Sequence, residues 1–305
     1  MISINKTNLL DKRIAVLMGG SSNEREISLR SGQAVAEALK TKGLNAIAVD
    51  LSTDTTLWQQ QILDVNPDIA FIALHGTYGE DGCIQALLEL MQIVYTGSDV
   101  MASALCMNKK LTKDLLNADG ITTPQTATLI AGMPSFYPVF VKPVSEGSSV
   151  GLHYVADQHA WSALDLGNPD EWLIEDCVVG KEIAVSVLNG KALTPVEIAP
   201  KSGMYDYESK YTAGATDYYC PARLSDAVLQ QCKTIAEKAV AALGCEGAPR
   251  VDLIVPETGQ PVVLEVNTIP GMTATSLLPK SAAQEGMDFP TLCAAILEAA
   301  LMEGE

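Results

Sequence analysis

No two cysteines in this chain are spaced as CxxC, and none of the seven stands in a Cys/His cluster. A zinc ribbon or a thioredoxin-like redox pair is therefore excluded. The odd count reads as free thiols, mostly core fillers, in a reducing compartment. No apolar run is long enough to cross a bilayer. The opening stretch MISINKTNLLDKR lacks the apolar core of a signal peptide. The expectation is a cytoplasmic protein with no membrane partner. Basic residues are scarce: 20 Lys and Arg stand against 37 Asp and Glu, a net charge of −17. That balance argues against nucleic acid and anionic membranes as partners. It also makes any lysine inside an apolar run informative, because an acidic protein that binds an anion must gather its few cations there. GxGxxG is missing, which disfavours a nicotinamide dinucleotide, and so is the P-loop GxxxxGK[ST]. There is no internal repeat and no low-complexity segment.

What remains is a chain of 305 residues, 48% hydrophobic, long enough for two or three domains. Its first hundred residues alternate strand and helix. RIAVLMGG (13–20), NAIAVD (45–50) and DIAFIALHG (68–76) read as strands, and 26–43 and 82–91 as helices. This pattern predicts an α/β fold with an open parallel sheet covered on both faces. Ligands of such sheets sit at the carboxyl ends of the strands. Gly19 to Glu24 and His75 to Gly82 occupy those ends. Beyond them, Met101 to Gly120 reads as one helix, Lys201 to Pro221 as a long polar loop, and Ser225 to Leu243 as an amphipathic helix. Two further helices begin at Ser276 and Phe289. A loop of that length in a compact domain is usually functional.

The densest chemistry lies between Ala248 and Thr273. Two apolar, β-branched runs flank PETGQP, a turn-forming cluster, and predict a hairpin. Side chains alternate along a strand, so Arg250 and Asp252 share one face, and Glu265 and Asn267 share another. If those faces coincide, one cation and three oxygen-bearing side chains meet in apolar surroundings. Such charge is costly to bury unless it is paired or holds a metal. Oxygen donors without Cys or His suit Mg²⁺ or Mn²⁺, which keep positions for substrate phosphates. A nucleotide-dependent enzyme is the reading that follows.

In YPVFVKPVSEGSSVG (137–151), Lys142 sits inside an apolar strand ahead of a Gly/Ser loop whose backbone N–H groups can approach an anion closely. The alternative is a hairpin whose lysine reaches back to water. In WLIEDCVVGKEIAV (172–185), Glu175 ends one apolar strand and Glu182 begins another. A carboxylate and backbone groups at that break suit an adenine amine and a ribose hydroxyl. Taken alone, this segment reads as solvated strand-end glutamates.

Together these segments resemble the ATP-grasp enzymes, and within them the D-alanine–D-alanine ligases. The resemblance rests on seven motifs in family order: 19–32, ALHGTYGEDG (73–82), YTGSDVMASALCMNK (95–109), VKPVSEGSSVG (141–151), YDYESKY (205–211), PRVD (249–252) and EVNTIPGMTATSL (265–277). It implies three α/β domains, at 1–100, 101–183 and 184–305, with ATP between the last two. It implies that Lys109, Lys142, Glu146, Ser148, Ser149, Glu175, Val178 and Glu182 hold ATP. Within that set Glu175 would read the adenine and Glu182 the ribose. Asp252, Glu265 and Asn267 would hold two Mg²⁺ (or Mn²⁺). Glu24 would bind the ammonium of the first D-alanine, and His75 would lie near its carboxylate. Arg250 and the Gly271 N–H would stabilise the oxyanion. Lys210, Ser276 and Leu277 would receive the second D-alanine. Ser148 and Tyr211 would join Glu24 and tie down 201–221 as a lid. The implied reaction makes D-alanyl-D-alanine through an acyl phosphate, for peptidoglycan synthesis, in a cytoplasmic homodimer.

The chain departs from the family pattern at Cys177, where many relatives carry an aromatic residue, so the adenine would be less well stacked. Tyr211 and Lys210 favour the dipeptide product over a D-lactate ester. Two rival readings are another ATP-grasp carboxylate–amine ligase and a catalytically silent nucleotide binder.

Overall fold

The structure is a computed structural model that describes residues 7–147, 150–201 and 214–303. A short helix, α1 (Thr7–Leu10), precedes a four-stranded parallel sheet built from β1 (Arg13–Gly19), β2 (Asn45–Leu51), β3 (Ile69–Ile72) and β4 (Val94–Tyr95). Their order is β2-β1-β3-β4. Strand alternation divides the sheet between two cores. Ile14, Val16, Ile69 and Phe71 pack with Val35 and Leu39 of α2 (Arg25–Thr41). Ala15, Leu17, Ala70 and Ile72 pack with Trp58 and Ile62 of α3 (Trp58–Val65) and Ile84 and Leu88 of α4 (Cys83–Leu90). Both faces are thus covered, as the continuous apolar runs require.

The chain leaves β1 through Gly19 and Gly20, both at positive φ (87° and 82°). A Cβ on Gly19 would lie 2.3 Å from an Asp50 oxygen. Arg25 closes this turn. Its guanidinium donates to the Gly20 and Leu51 carbonyls at 3.1 and 2.8 Å and pairs with Asp50 at 2.7 Å. Glu24 is thereby fixed at the mouth of the sheet, immediately before α2.

The single helix expected over 101–120 is two: α5 (Val100–Met107) and α6 (Lys109–Ala118). Asn108 separates them in extended conformation, and its side chain accepts from the Leu111 N–H at 3.1 Å. An Asn prefers this capping role to a helix interior. A minor hairpin, β5 (Leu129–Ile130) and β6 (Met133–Pro134), follows. Next comes a three-stranded antiparallel sheet in the order β8-β7-β9, made from β7 (Val139–Pro143), β8 (His153–Val155) and β9 (Trp172–Asp176). Helix α7 (Gln158–Ser162) connects the latter two.

The largest sheet runs β13-β12-β10-β14-β15, with β11 paired to β10. Its strands are β10 (Lys181–Leu188), β11 (Lys191–Ala192), β12 (Val196–Pro200), β13 (Thr216–Tyr219), β14 (Arg250–Val255) and β15 (Val262–Asn267). Helix α8 (Asp226–Ala242) packs Cys232, Ala236 and Ala239 against Val185, Val251 and Leu253. Part of the expected 201–221 loop is strand: Thr216–Tyr219 pairs with β12 in register Glu197↔Tyr219. Four residues in a polar, tyrosine-rich stretch carry too little alternation to reveal this. Residues 202–213, with Lys210 and Tyr211, lie outside the described residues, as do Ser148 and Ser149. Helices α9 (Leu277–Gln284) and α10 (Phe289–Glu303) end the chain, and α10 lies along α2. Among the described residues no helix is long and apolar enough to cross a membrane.

Candidate active site

The expected hairpin forms with its faces coincident. β14 and β15 pair in the register Arg250↔Asn267 and Asp252↔Glu265, with a bulge immediately after. Arg250 grips Asp252 through two hydrogen bonds, Nε to Oδ1 at 2.7 Å and an Nη to Oδ2 at 2.8 Å. Such forked pairing is the strong form of this contact. Asn267 Oδ1 accepts from the Ile269 N–H at 2.9 Å and so shapes the exit from β15. Two carboxylates and an amide oxygen at neighbouring ladder positions form a hard-oxygen donor set, which fits Mg²⁺ or Mn²⁺. Among the described residues no group of three or more His, Cys, Asp or Glu is placed to hold a metal, so this mixed set is the candidate.

Asp252 and Glu265 open onto a cavity of about 480 Å³ between the three-stranded and the largest sheet. That volume is in the range of small-molecule sites, roughly 300–1,000 Å³. Its apolar lining includes Phe140, Leu152, Val178, Ile198 and Leu264. Its charged lining includes Lys109, Lys142, Asp252 and Glu265. Lys109 opens α6, and its Nζ donates to the Glu146 carbonyl at 2.5 Å and lies 3.9 Å from Glu265. Lys142 lies 2.5 Å from Glu175 Oε1. A cleft lined by apolar side chains, lysines and carboxylates has the chemistry to take a nucleotide.

The buried carboxylate of Glu175 lies between two ammonium groups, Lys142 and Lys113, the latter at 2.6 Å. Glu175 lines the cavity together with Asp176, Cys177 and Val178. Burial pushes the Asp176 carboxyl up from its ordinary value, and its Oδ1 is buried without a partner among the described residues. Burial likewise raises the Cys177 thiol, so Cys177 is a neutral, small wall residue. Glu182 lines the same cavity from the start of β10.

A second cavity, about 410 Å³, lies at the mouth of the parallel sheet and is lined by Ser22, Glu24, Gly76, Thr77 and Tyr78. Glu146, Gly147 and Val150 line both cavities. These three residues thus form a shared wall. A Cβ on Gly147 would come within 3.3 Å of a Glu24 oxygen, so a larger residue there would press on the Glu24 side chain.

His75, Arg250, Asn267, Gly271, Ser276 and Leu277 are not among the residues lining either cavity. His75 is buried, with Nδ1 3.2 Å from Glu80 and Nε2 3.3 Å from Ser31. The Ser31 hydroxyl also accepts from the Met272 N–H at 3.3 Å, which ties His75 to the segment after β15. There the Ser276 hydroxyl accepts from the Thr273 N–H at 3.0 Å, and a Cβ on Gly271 would lie 3.0 Å from that oxygen. Sequence reasoning missed Lys113 and Glu197. Lys113 was hidden within a helical pattern. Glu197 lines the nucleotide-sized cavity and is held by Arg223 at 2.7 Å and Lys181 at 3.5 Å. A lone acid in an apolar strand, VEIAP, was the available signal.

Comparison with known proteins gives a consistent result. Family models described as D-ala D-ala ligase N-terminus and C-terminus match residues 13–66 and 55–98, and 120–298. A D-alanine–D-alanine ligase of Anaeromyxobacter dehalogenans (strain 2CP-C) is 45% identical over 304 residues, covering 96% of this chain and 98% of that protein. One from Citrifermentans bemidjiense is 46% identical over 302 residues, with coverages of 97% and 98%. The crystal structure of D-alanine–D-alanine ligase from Bacillus anthracis complexed with ATP superposes with a TM-score of 0.80 at 32% identity, covering 96% and 97% of the two chains. The VanG D-Ala:D-Ser ligase of Enterococcus faecalis gives a TM-score of 0.81 at 30% identity, covering 95% and 99%.

Proposed function

We infer the function from one premise: the chain belongs to the D-alanine–D-alanine ligase family, whose N- and C-terminal models together match most of its length. It is an ATP-dependent ligase that joins two D-alanine molecules into D-alanyl-D-alanine and releases ADP and phosphate. The observation that carries the reading is the pair of cavities sharing Glu146, Gly147 and Val150 as lining. A carboxylate held in one meets a phosphate held in the other.

The steps follow from the chain's own groups. Glu24 binds the ammonium of the first D-alanine, so its carboxylate points toward the shared wall. Lys109 and Lys142 hold the phosphates of ATP. The carboxylate attacks the γ-phosphorus, the bond to the bridging oxygen breaks, and ADP leaves. Phosphoryl transfer of this kind is mostly positioning and charge neutralisation. Asp252, Glu265 and Asn267 would hold two Mg²⁺ (or Mn²⁺), which neutralise charge across the phosphates. Arg250 and the Gly271 N–H, which are outside the lining of both cavities, would stabilise the oxyanion on the acyl carbon. The amine of the second D-alanine, received near Ser276 and Leu277, attacks that carbon, and phosphate departs from a tetrahedral intermediate. Donors aimed at such an oxyanion each contribute about 3–4 kcal/mol. The product serves peptidoglycan synthesis in the cytoplasm, and the working form is a homodimer with domains 1–100, 101–183 and 184–305.

The test is ADP and phosphate release with ATP, Mg²⁺ and D-alanine, with L-alanine, D-serine and D-lactate in parallel and the product identified by mass. D-alanine-dependent turnover to the dipeptide is expected. ATP binding without D-alanine-dependent turnover would sink the reading.

A further inference from the structure

Lys113 lies one helical turn beyond Lys109 on α6, and the two therefore share a face. Lys109 lines the larger cavity, whereas Lys113 is not among the residues lining it. Lys113 is instead buried, 3% exposed, behind Glu175. Its Nζ donates to Glu175 Oε2 at 2.6 Å, while Lys142 Nζ lies 2.5 Å from Oε1. One carboxylate thus bridges two ammonium groups, and only Glu175 and Lys142 reach the cavity.

The charge arithmetic of this cluster matters. Lys142 and Glu175 alone form a neutral pair, whose field falls off quickly and gives a phosphate little attraction. Lys113, Lys142 and Glu175 sum to one net positive charge, and burial pushes the neighbouring Asp176 carboxyl up toward its neutral form, which limits how far it offsets that charge. Glu175 is shared, so Lys142 keeps capacity for an anion, and both oxygens of the carboxylate are fixed. In a partly buried site such a charge acts with little screening. Burying Lys113 is costly: burial lowers the lysine from its ordinary value, and the Glu175 carboxylate works against that. A second buried ammonium that touches no cavity needs a reason beyond packing, since an apolar side chain of similar volume fills such a place at lower cost.

We propose that Lys113 is a positioning residue for the nucleotide phosphates: through Glu175 it keeps the Lys142 cluster net positive and holds Lys142 in place. The inference rests on the ATP reading of this cavity given above.

The experiment is calorimetric binding of ATP and of adenosine to the full chain, in wild type, Lys113→Met, Lys113→Arg and the double variant Lys113→Met/Glu175→Gln. In Lys113→Met the cluster is neutral, and ATP affinity should fall roughly tenfold or more, with adenosine affinity unchanged, because one charge near a phosphate contributes on the order of one to two decades. Lys113→Arg should recover most of the ATP affinity. The double variant returns the cluster to one positive charge and should bind ATP more tightly than Lys113→Met. It also supplies a readout should the single variant fail to fold, since it removes the position-175 carboxylate that the single variant strips of its Lys113 partner. Steady-state kinetics should show the KM for ATP raised, with the KM for D-alanine unmoved. Equal losses for ATP and adenosine, or a double variant weaker than the single one, would overturn the inference and leave Lys113 a packing residue. Wild type that binds no ATP would instead sink the ATP reading itself.

Discussion

Arg250 and Asp252 hold each other through a two-bond fork, and their partners across the ladder are Asn267 and Glu265. Replacing Arg250 with Lys keeps the charge but removes the fork. Arg250→Lys should lower kcat by roughly 10²–10³ if the residue also meets the oxyanion, with the KM for ATP near that of wild type. An unchanged kcat would remove Arg250 from the chemistry. Glu24 makes a different prediction, because it lies in the smaller cavity, away from the lysines. Removing one partner of a buried charge pair costs about 2 kcal/mol or more, which is roughly a 30-fold loss. Glu24→Gln should therefore raise the KM for the first D-alanine by about that factor and leave the affinity for ATP alone. A weakened ATP affinity with normal D-alanine use would contradict this placement.

The elements around the nucleotide cavity depend on a few close approaches. Gly180 immediately precedes β10, and a Cβ there would lie 2.4 Å from the Val255 carbonyl of the neighbouring strand. Because the obstacle is backbone, Gly180→Ala must displace the wall from Val178 to Glu182. A cost of about 1–3 kcal/mol in stability is expected, together with weaker ATP binding in a titration; wild-type values in both would show that the strands slide freely. On β12, burial pushes Glu197 up, but the hydrogen bonds from the Arg223 side chain and backbone, with the charges of Lys181 and Arg223, outweigh it and hold the carboxyl below its ordinary 4.5. A carboxyl whose folded value is depressed contributes stability above its unfolded value, lost as pH falls through the folded one. The Glu197 contribution is thus whole above about pH 4.5 and fades on further acidification. Arg223→Gln should shift the acid-unfolding midpoint, followed by circular dichroism, to higher pH, and an unmoved midpoint would contradict the assignment. These contacts also mark what the sequence made legible. The hairpin parity of Arg250, Asp252, Glu265 and Asn267 is a local property of two strands and one turn, and it is seen as expected. The bridging of Glu175 by Lys113 and Lys142 is not local. It needs α6 packed behind β9, 62 residues away, and neither segment alone announces the other.

At the scale of the molecule, a chain of net charge −17 gathers Lys109, Lys113 and Lys142 around one cleft. That the scarce lysines inside apolar runs would gather at one place was legible from the charge imbalance for Lys142, although Lys113 was not. The two faces of the parallel sheet were likewise legible from strand and helix alternation, whereas the division of 101–120 into two helices and the strand at Thr216–Tyr219 were not. Both depend on a single cap or a short pairing rather than on periodicity. If the two cavities work as one site, ATP should stabilise the whole fold by mass action, by about 2.7 kcal/mol at a hundredfold excess over Kd. D-alanine should raise the melting temperature further when ATP is present. A melting temperature that responds to ATP but never to D-alanine would uncouple the cavities. The most direct test of their junction uses D-alanine labelled with ¹⁸O in its carboxylate, supplied with ATP and Mg²⁺. Attack on the γ-phosphorus across the shared wall predicts that each dipeptide formed is accompanied by one inorganic phosphate carrying a single ¹⁸O. Dipeptide formed with unlabelled phosphate would contradict the account.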